Sequence, residues 1–191
     1  MHLLSLDIET TGLDQYDQIL EIGAIAVDDA GHELGTFHCY LRHGRLSGDP
    51  VALAMNDRII RILAGVSVPD APVYAPEDAA KYFHEWLERY AGQEQKFTVT
   101  GKNAGGFDIP MINRLFESHL PWVDNQKPHD YFHHRVLDLG PLYWNPARDG
   151  WVVPSLKGIL DQLGRRPTGL HTALGDARDV LIALQEKVKR F

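Results

Sequence analysis

The stretch LLSLDIETTGLD, Leu3 to Asp14, sets two carboxylates, Asp7 and Glu9, into an otherwise apolar run. Leu3, Leu4, Ser5 and Leu6 lead into them, Ile8 separates them, and Thr10-Thr11-Gly12 is a turn signal. The run therefore reads as a mostly buried strand that ends at the turn. Residues two apart on a strand point to one face, which places Asp7 beside Glu9. Two unpaired carboxylates there repel each other and lose hydration unless a cation or a buried base compensates them. Taken alone, the pair fits two solvated acids at a fraying strand edge better, so ligands elsewhere in the chain decide.

Outward from this strand, QILEIGAIAVDDAGHELGTFHCYLR holds two more, Gln18 to Val27 and Glu33 to Leu41, joined by the Asp-Asp-Ala-Gly turn. The three form an antiparallel meander. Residues 50 to 64 carry apolar positions at helical spacing after the start signal Asp49-Pro50. Residues 65 to 75, with Pro69 and Pro72, read as a surface loop, and Pro76 to Ala91 as a second helix with proline and acids in its first turn. KFTVTG is a short β-branched strand before a glycine-bearing turn and the helical IPMINRLFESHL, and HRVLDLG is a further short strand. SLKGILDQLG and ALGDARDVLIALQEKVKR complete the chain as helices. A meander followed by strands alternating with helices predicts a mixed α/β sheet with helices on both faces.

The 191 residues, without repeat or low-complexity tract, read as one continuous domain, residues 1–191. A composition of 44% hydrophobic and 24% charged residues is that of a soluble globular protein. No apolar run approaches the ~20 residues of a membrane span. Six residues before Asp7 leave no room for a signal peptide, so a cytoplasmic home is expected. The single Cys39 excludes an internal disulfide and a multi-cysteine zinc site. A formal charge of -7 argues against a strongly basic binder of long duplexes. It leaves nucleic-acid substrates open, because carboxylates that hold cations add negative charge to the sum yet build a locally positive site.

Further ligands are present. TGKNAGGFDIPMI places Asp108 beyond a strand, after a glycine-rich turn, where a helix begins; alone it reads as a cap. HTALGDARD offers His171 and Asp176 five residues apart, an offset that forces no shared helical face. Together, DIETTG, N-x4-D and H-x4-D, in that order from Ser5 to about Leu184, closely resemble the three motifs of the DEDDh family of 3'-to-5' exonucleases. Oligoribonucleases and the proofreading exonucleases of DNA polymerases belong to that family. The resemblance implies a ribonuclease H-like fold, with a five-stranded mixed sheet flanked by helices.

Position by position, the resemblance makes Asp7, Glu9, Asp108 and Asp176 metal ligands and His171 the general base. Hard oxygen donors of this kind suit two Mg2+ or Mn2+ ions. A pair of such ions ~3.5–4 Å apart holds the attacking and leaving oxygens in line across a phosphate. An imidazole, whose ordinary pKa is roughly 6.5, takes a proton from water at neutral pH. The implied reaction removes nucleoside 5'-monophosphates from 3' ends of single-stranded DNA or RNA. The alternative implied by the family is a proofreading-type accessory module, working mainly in complex with a DNA polymerase or other partner. DNA against RNA, substrate length and oligomeric state are not written in these residues.

Around the five, Thr10, Thr11 and Leu13 fall where the family's backbone meets the terminal 3' hydroxyl and an apolar side chain wedges against the last base. The competing reading of Leu13 is a loop residue folded onto the core. Phe107 would line the nucleotide pocket, and Asn56 lies where relatives reach over the terminal nucleotides. Met55, in a helical stripe, reads as core. Many relatives have a His-Asn pair before the second-motif acid; here Lys102-Asn103 stand one residue further away because of the glycine added in AGGFD, a spacing nearer the oligoribonuclease branch. His129, Asp130, His133 and His134 lack a closed set of ligands at zinc spacing and read as a polar loop, and Asp138 as an acid satisfying a helix terminus.

Overall fold

The acid-bearing run lies at the centre of the sheet. The computed structural model describes residues 2–14, 16–91, 96–121, 131–169 and 171–189. Its meander is β1 (His2–Thr10), β2 (Ile19–Val27) and β3 (Glu33–Leu41). Helices α1 (Pro50–Met55) and α2 (Asp57–Leu63), strand β4 (Val73–Tyr74) and helix α3 (Pro76–Tyr90) follow. Strand β5 (Phe97–Gly101), helix α4 (Asp108–His119) and strand β6 (Leu137–Asp138) continue the chain. Helices α5 (Leu139–Tyr143), α6 (Pro146–Asp149), α7 (Leu156–Gln162) and α8 (Ala173–Val188) end it. The sheet order is β4-β3-β2-β1-β5-β6. The meander pairs are antiparallel, while β1–β5, β5–β6 and β3–β4 are parallel.

Alternation along β1 divides the molecule into layers. Leu4, Leu6 and Ile8 join Phe83, Leu87, Ile112 and Phe116 of α3 and α4 in the main core. Fully burying a leucine of this kind is worth about 1.5–3 kcal/mol. Ser5, Asp7 and Glu9 face the other way, where Ser5 Oγ donates to the Ala177 carbonyl of α8 at 2.6 Å. All nine residues of β2, ILEIGAIAV, are buried, as both of its faces are covered. The strands that run parallel to β1 carry their ends, and the loops after them, to the edge where Asp7 and Glu9 sit.

The sheet has six strands where five were expected. The sixth, β4, lies within the proline-bearing stretch read as a loop; two residues are too few to show an alternating pattern. The helix expected over 50–64 is two helices that meet at Asn56, whose φ of -94° and ψ of 21° interrupt the turn without a glycine or proline to announce it. Met55 is not core: it is 62% exposed. The strand expected in HRVLDLG is reduced to Leu137–Asp138, and its Leu139-Gly140 already belongs to α5. His129 and Asp130 lie outside the described residues. Among the described residues no helix is long and apolar enough to cross a membrane.

Candidate active site

Strand β1 delivers Asp7 and Glu9 in register with Gly23 and Glu21 of β2, and the ladder shifts immediately after Glu9. Such a bulge bends the strand and frees its end from the sheet. Gly23 has no side chain for a reason. A Cβ built there would lie 2.2 Å from the Leu174 nitrogen and 2.3 Å from the Ala173 carbonyl carbon, so the first turn of α8 rests directly on the backbone of β2. Thr172 caps that helix by accepting from Gly175 N at 3.1 Å, and Asp176 stands in the first turn. The result is three carboxylates from the two ends of the chain, Asp7, Glu9 and Asp176, with one oxygen of each within 4.8 Å of the others.

Asp108 arrives from the opposite layer. Pairing of β1 with β5 ends at Ser5–Thr100, and Ile8 N, beyond that point, donates instead to Asp108 Oδ1 at 3.1 Å. The connecting turn needs Asn103 at a φ of 63°, a left-handed conformation that asparagine tolerates better than most residues. Asp138 Oδ2 accepts from Asn103 N and Oδ1 from Gly140 N, each at 2.8 Å, which ties this turn to the start of α5. Asp138 thus satisfies a helix terminus, as expected, and also the turn before Asp108. Asp108 does not join the 4.8 Å group, although of the neighbouring charges its own acts most strongly on Asp7.

His171 is exposed and precedes α8 with a φ of 51°. Its loop is fastened to the helix: Thr168 N donates to both oxygens of the buried Asp179, at 3.1 and 3.0 Å, and the Thr168 hydroxyl to the Gly175 carbonyl at 3.2 Å. The charge of His171 acts on Asp176.

With no cation among them, the acids hold protons that ordinary carboxylates release. Burial, then the charges of Asp108, Asp176, Glu9 and Glu21, raise Asp7 well above the usual range. Burial and the neighbouring acids push Glu9 up to about 7, burial takes Asp108 to about 7, and burial with Asp179 takes Asp176 to about 6. A hard divalent ion fits this donor set. Ligands on opposite sides of Mg2+ stand at most ~4.2 Å apart. Oxygens already within 4.8 Å of one another are therefore close to a ligand shell before any ion draws them in.

Beside the acids lies a cleft of about 640 Å3 lined by Glu9, Thr10, Leu13, Met55, Asn56 and Phe107 among others. Leu13 is not folded onto the core; at 86% exposure it stands at the rim. Asn56 is buried, donates from Nδ2 to the Thr10 carbonyl at 3.0 Å and hydrogen-bonds the Glu9 carboxylate. Thr10 spends its hydroxyl on the Gly12 carbonyl at 2.6 Å. Thr11 does not line the cleft: it is buried, donating to Asp17 Oδ1 at 3.0 Å and accepting from Gln18 N at 2.9 Å. Asn103 is also outside it, exposed on the turn before Asp108.

The sequence pattern of the RNase_T exonucleases matches residues 4–184. The chain belongs to that exonuclease family. No curated protein sequence matches this chain at a significant level. Among solved structures it is similar to Escherichia coli exonuclease I in complex with a dT13 oligonucleotide, at a TM-score of 0.67 and 16% identity, over 99% of this chain and 41% of that one. It is similar also to the moderately thermophilic exonuclease I of Methylocaldum szegediense, at a TM-score of 0.72 and 19% identity, over 99% and 40%. An exonuclease I complex with SSB-Ct matches at a TM-score of 0.71 and 17% identity, over 99% and 41%. The chain thus spans about two fifths of the length of these proteins, and its fold is ribonuclease H-like.

Two residues not singled out from the sequence, Gly23 and Glu21, and one read there only as satisfying a helix terminus, Asp138, help build this site. Gly23 lets α8 approach, Asp138 holds the turn before Asp108, and Glu21 faces Glu9 across the sheet. The signals for Gly23 and Glu21 were a glycine inside a strand and an acid inside a run of nine buried residues.

Proposed function

We propose that the 191 residues form one metal-dependent 3'-to-5' exonuclease domain that removes nucleoside 5'-monophosphates from single-stranded ends. The observation that carries this reading is the convergence of Asp7, Glu9 and Asp176, from β1 and α8, to within 4.8 Å beside a cleft that Glu9 lines. Asp7, Glu9, Asp108 and Asp176 hold the cations, two Mg2+ or Mn2+ ions in this reading. When bound, those ions neutralise phosphate charge and make water a stronger acid.

The chain's own residues supply the rest. Phe107 and Met55 offer apolar surface for the terminal base along the cleft, and Leu13 at the rim wedges against it. Asn56 keeps Glu9 and the Thr10 carbonyl in fixed relation. His171, on its fastened loop, accepts the proton of the attacking water at an imidazole nitrogen. The bond broken joins phosphorus to the 3' oxygen of the penultimate nucleotide, so the released nucleotide keeps its 5' phosphate. Single-stranded DNA is the favoured substrate, because the structurally similar exonuclease I chains were solved with dT13 and dA16 oligonucleotides.

The test is digestion of a 5'-labelled single strand, DNA beside RNA, with Mg2+ or Mn2+. A ladder shortening from the 3' end is expected, abolished by chelator and by Asp7→Ala. A full-length strand with either metal, or undiminished shortening by Asp7→Ala, would show the reading to be wrong.

A further inference from the structure

Glu21 is 0% exposed in the middle of the sheet, and its Oε2 has no hydrogen-bond partner among the described residues. Leaving a charged group unpaired in the interior costs more than the ~1–3 kcal/mol of a neutral one. Its other oxygen, Oε1, is held by His38 Nε2 at 2.6 Å. That distance is short even for a charge-assisted bond. His38 lies opposite Gly23 on β3 and reaches diagonally, with its ring edge-on to Tyr40 at 5.2 Å. One end of the Glu21 carboxylate is thus fixed and the other is left open.

The carboxylate lies on the face of the sheet that carries the acids. Glu21 is the direct cross-strand partner of Glu9, so the two side chains share a face with Cβ atoms ~5 Å apart. Its charge also acts on Asp7, Glu9 and Asp176 alike. Yet Glu21 is not among the residues whose oxygens meet within 4.8 Å, so it stands behind the direct ligands.

We infer that Glu21 is a positioning residue of the cation site, its Oε2 accepting a hydrogen bond from the hydration water of a divalent ion held by Asp7, Glu9 and Asp176. The inference rests on the metal-binding reading above and adds to it a fifth acid and the His38 that orients it. Outer-shell partners of this kind commonly govern metal affinity by about 10–100-fold when removed. Glu21→Gln keeps the shape of the side chain while replacing an acceptor-only carboxylate by an amide. His38→Gln leaves the carboxylate in place and removes its imidazole partner.

The experiment is Mn2+ titration of the full chain followed by electron paramagnetic resonance, with thermal unfolding measured in chelator on the same samples. Glu21→Gln should weaken Mn2+ binding by about tenfold. His38→Gln should weaken it in the same direction, and the double variant by less than the product of the two. Unchanged Mn2+ affinity in a folded Glu21→Gln protein would overturn the inference, as would two effects that simply multiply. Asp7→Asn serves as the reference that must lose binding. Failure of the unmodified chain to bind Mn2+ at all would instead remove the metal reading, and this inference with it.

Discussion

Replacing Gly23 by alanine tests how the site is assembled. The added methyl would meet Leu174 N at 2.2 Å, Ala173 C at 2.3 Å and Leu174 Cα at 2.5 Å, all backbone atoms that no rotamer change can move. Carbon atoms rest ~3.5–4.0 Å apart, so the first turn of α8 must retreat by about 1 Å or more. Overpacking of this size costs about 1–3 kcal/mol. Asp176 lies two residues beyond Leu174 and moves with it, away from Asp7 and Glu9. A 1 Å misplacement of a reacting group lowers rates by about 100-fold. Gly23→Ala should therefore lose stability in urea, lose about two orders of magnitude in exonuclease rate, and bind Mn2+ more weakly. Gly35→Ala is the control, because the atoms nearest its methyl belong to the Tyr90 side chain, from 2.7 Å, and none to the acids. It should lower stability and leave Mn2+ affinity intact. A Gly23→Ala protein with normal rate and Mn2+ affinity would refute the view that contact between α8 and β2 places the third acid.

In chelator, Glu9, Asp108 and Asp176, at about 7, 7 and 6, keep protons in the folded state that the unfolded chain releases near pH 4. Stability should therefore fall as pH rises from about 4 to 7, by on the order of 3 kcal/mol for a group displaced by two units, and saturating Mn2+ should flatten the fall. A urea midpoint in chelator that is level or rising across that range would contradict it. Asn56→Ala strips the Thr10 carbonyl of its donor, at about 1–3 kcal/mol, and removes a hydrogen bond that draws the Glu9 pKa down. Mn2+ titrations should show a larger loss of affinity at pH 6.5 than at 8.5, and equal losses would count against this role. Asp138→Ala frees both Asn103 N and Gly140 N, which should cost about 0.5–2 kcal/mol and slow the reaction by loosening the turn ahead of Asp108. Unaltered single-turnover rates would show that the turn holds without it.

The elements read correctly from sequence are those long enough to show a period. The alternation of β1, the meander turn at Asp28–Gly31 and the acids opening α3 were all visible before any coordinates. The two-residue β4 and the short α5 and α6 offer no such period, and their positions come from packing against longer neighbours. The break at Asn56 was hidden because its cause is tertiary: the side chain turns inward to Thr10 and Glu9, 46 and 47 residues earlier. The site acids are recognisable through their motifs, whereas Asp138 acts through a turn and a helix start, and Glu21 through a partner on a neighbouring strand. A buried acid demands compensation, and Glu21 demands it more than Asp7 or Glu9, since both faces of β2 are covered.

The placement of α8 against β1 also bears on how the chain folds. Asp7 and Asp176 stand 169 positions apart in the sequence, and their meeting closes that long loop. Contacts this distant form late in folding because loop closure must precede them. A polypeptide in which α8 has not yet docked carries the first two acids and the cleft beside them without the third. The proposed cation site is thereby completed only by that docking, so metal binding doubles as a reporter of the last long-range contact of folding.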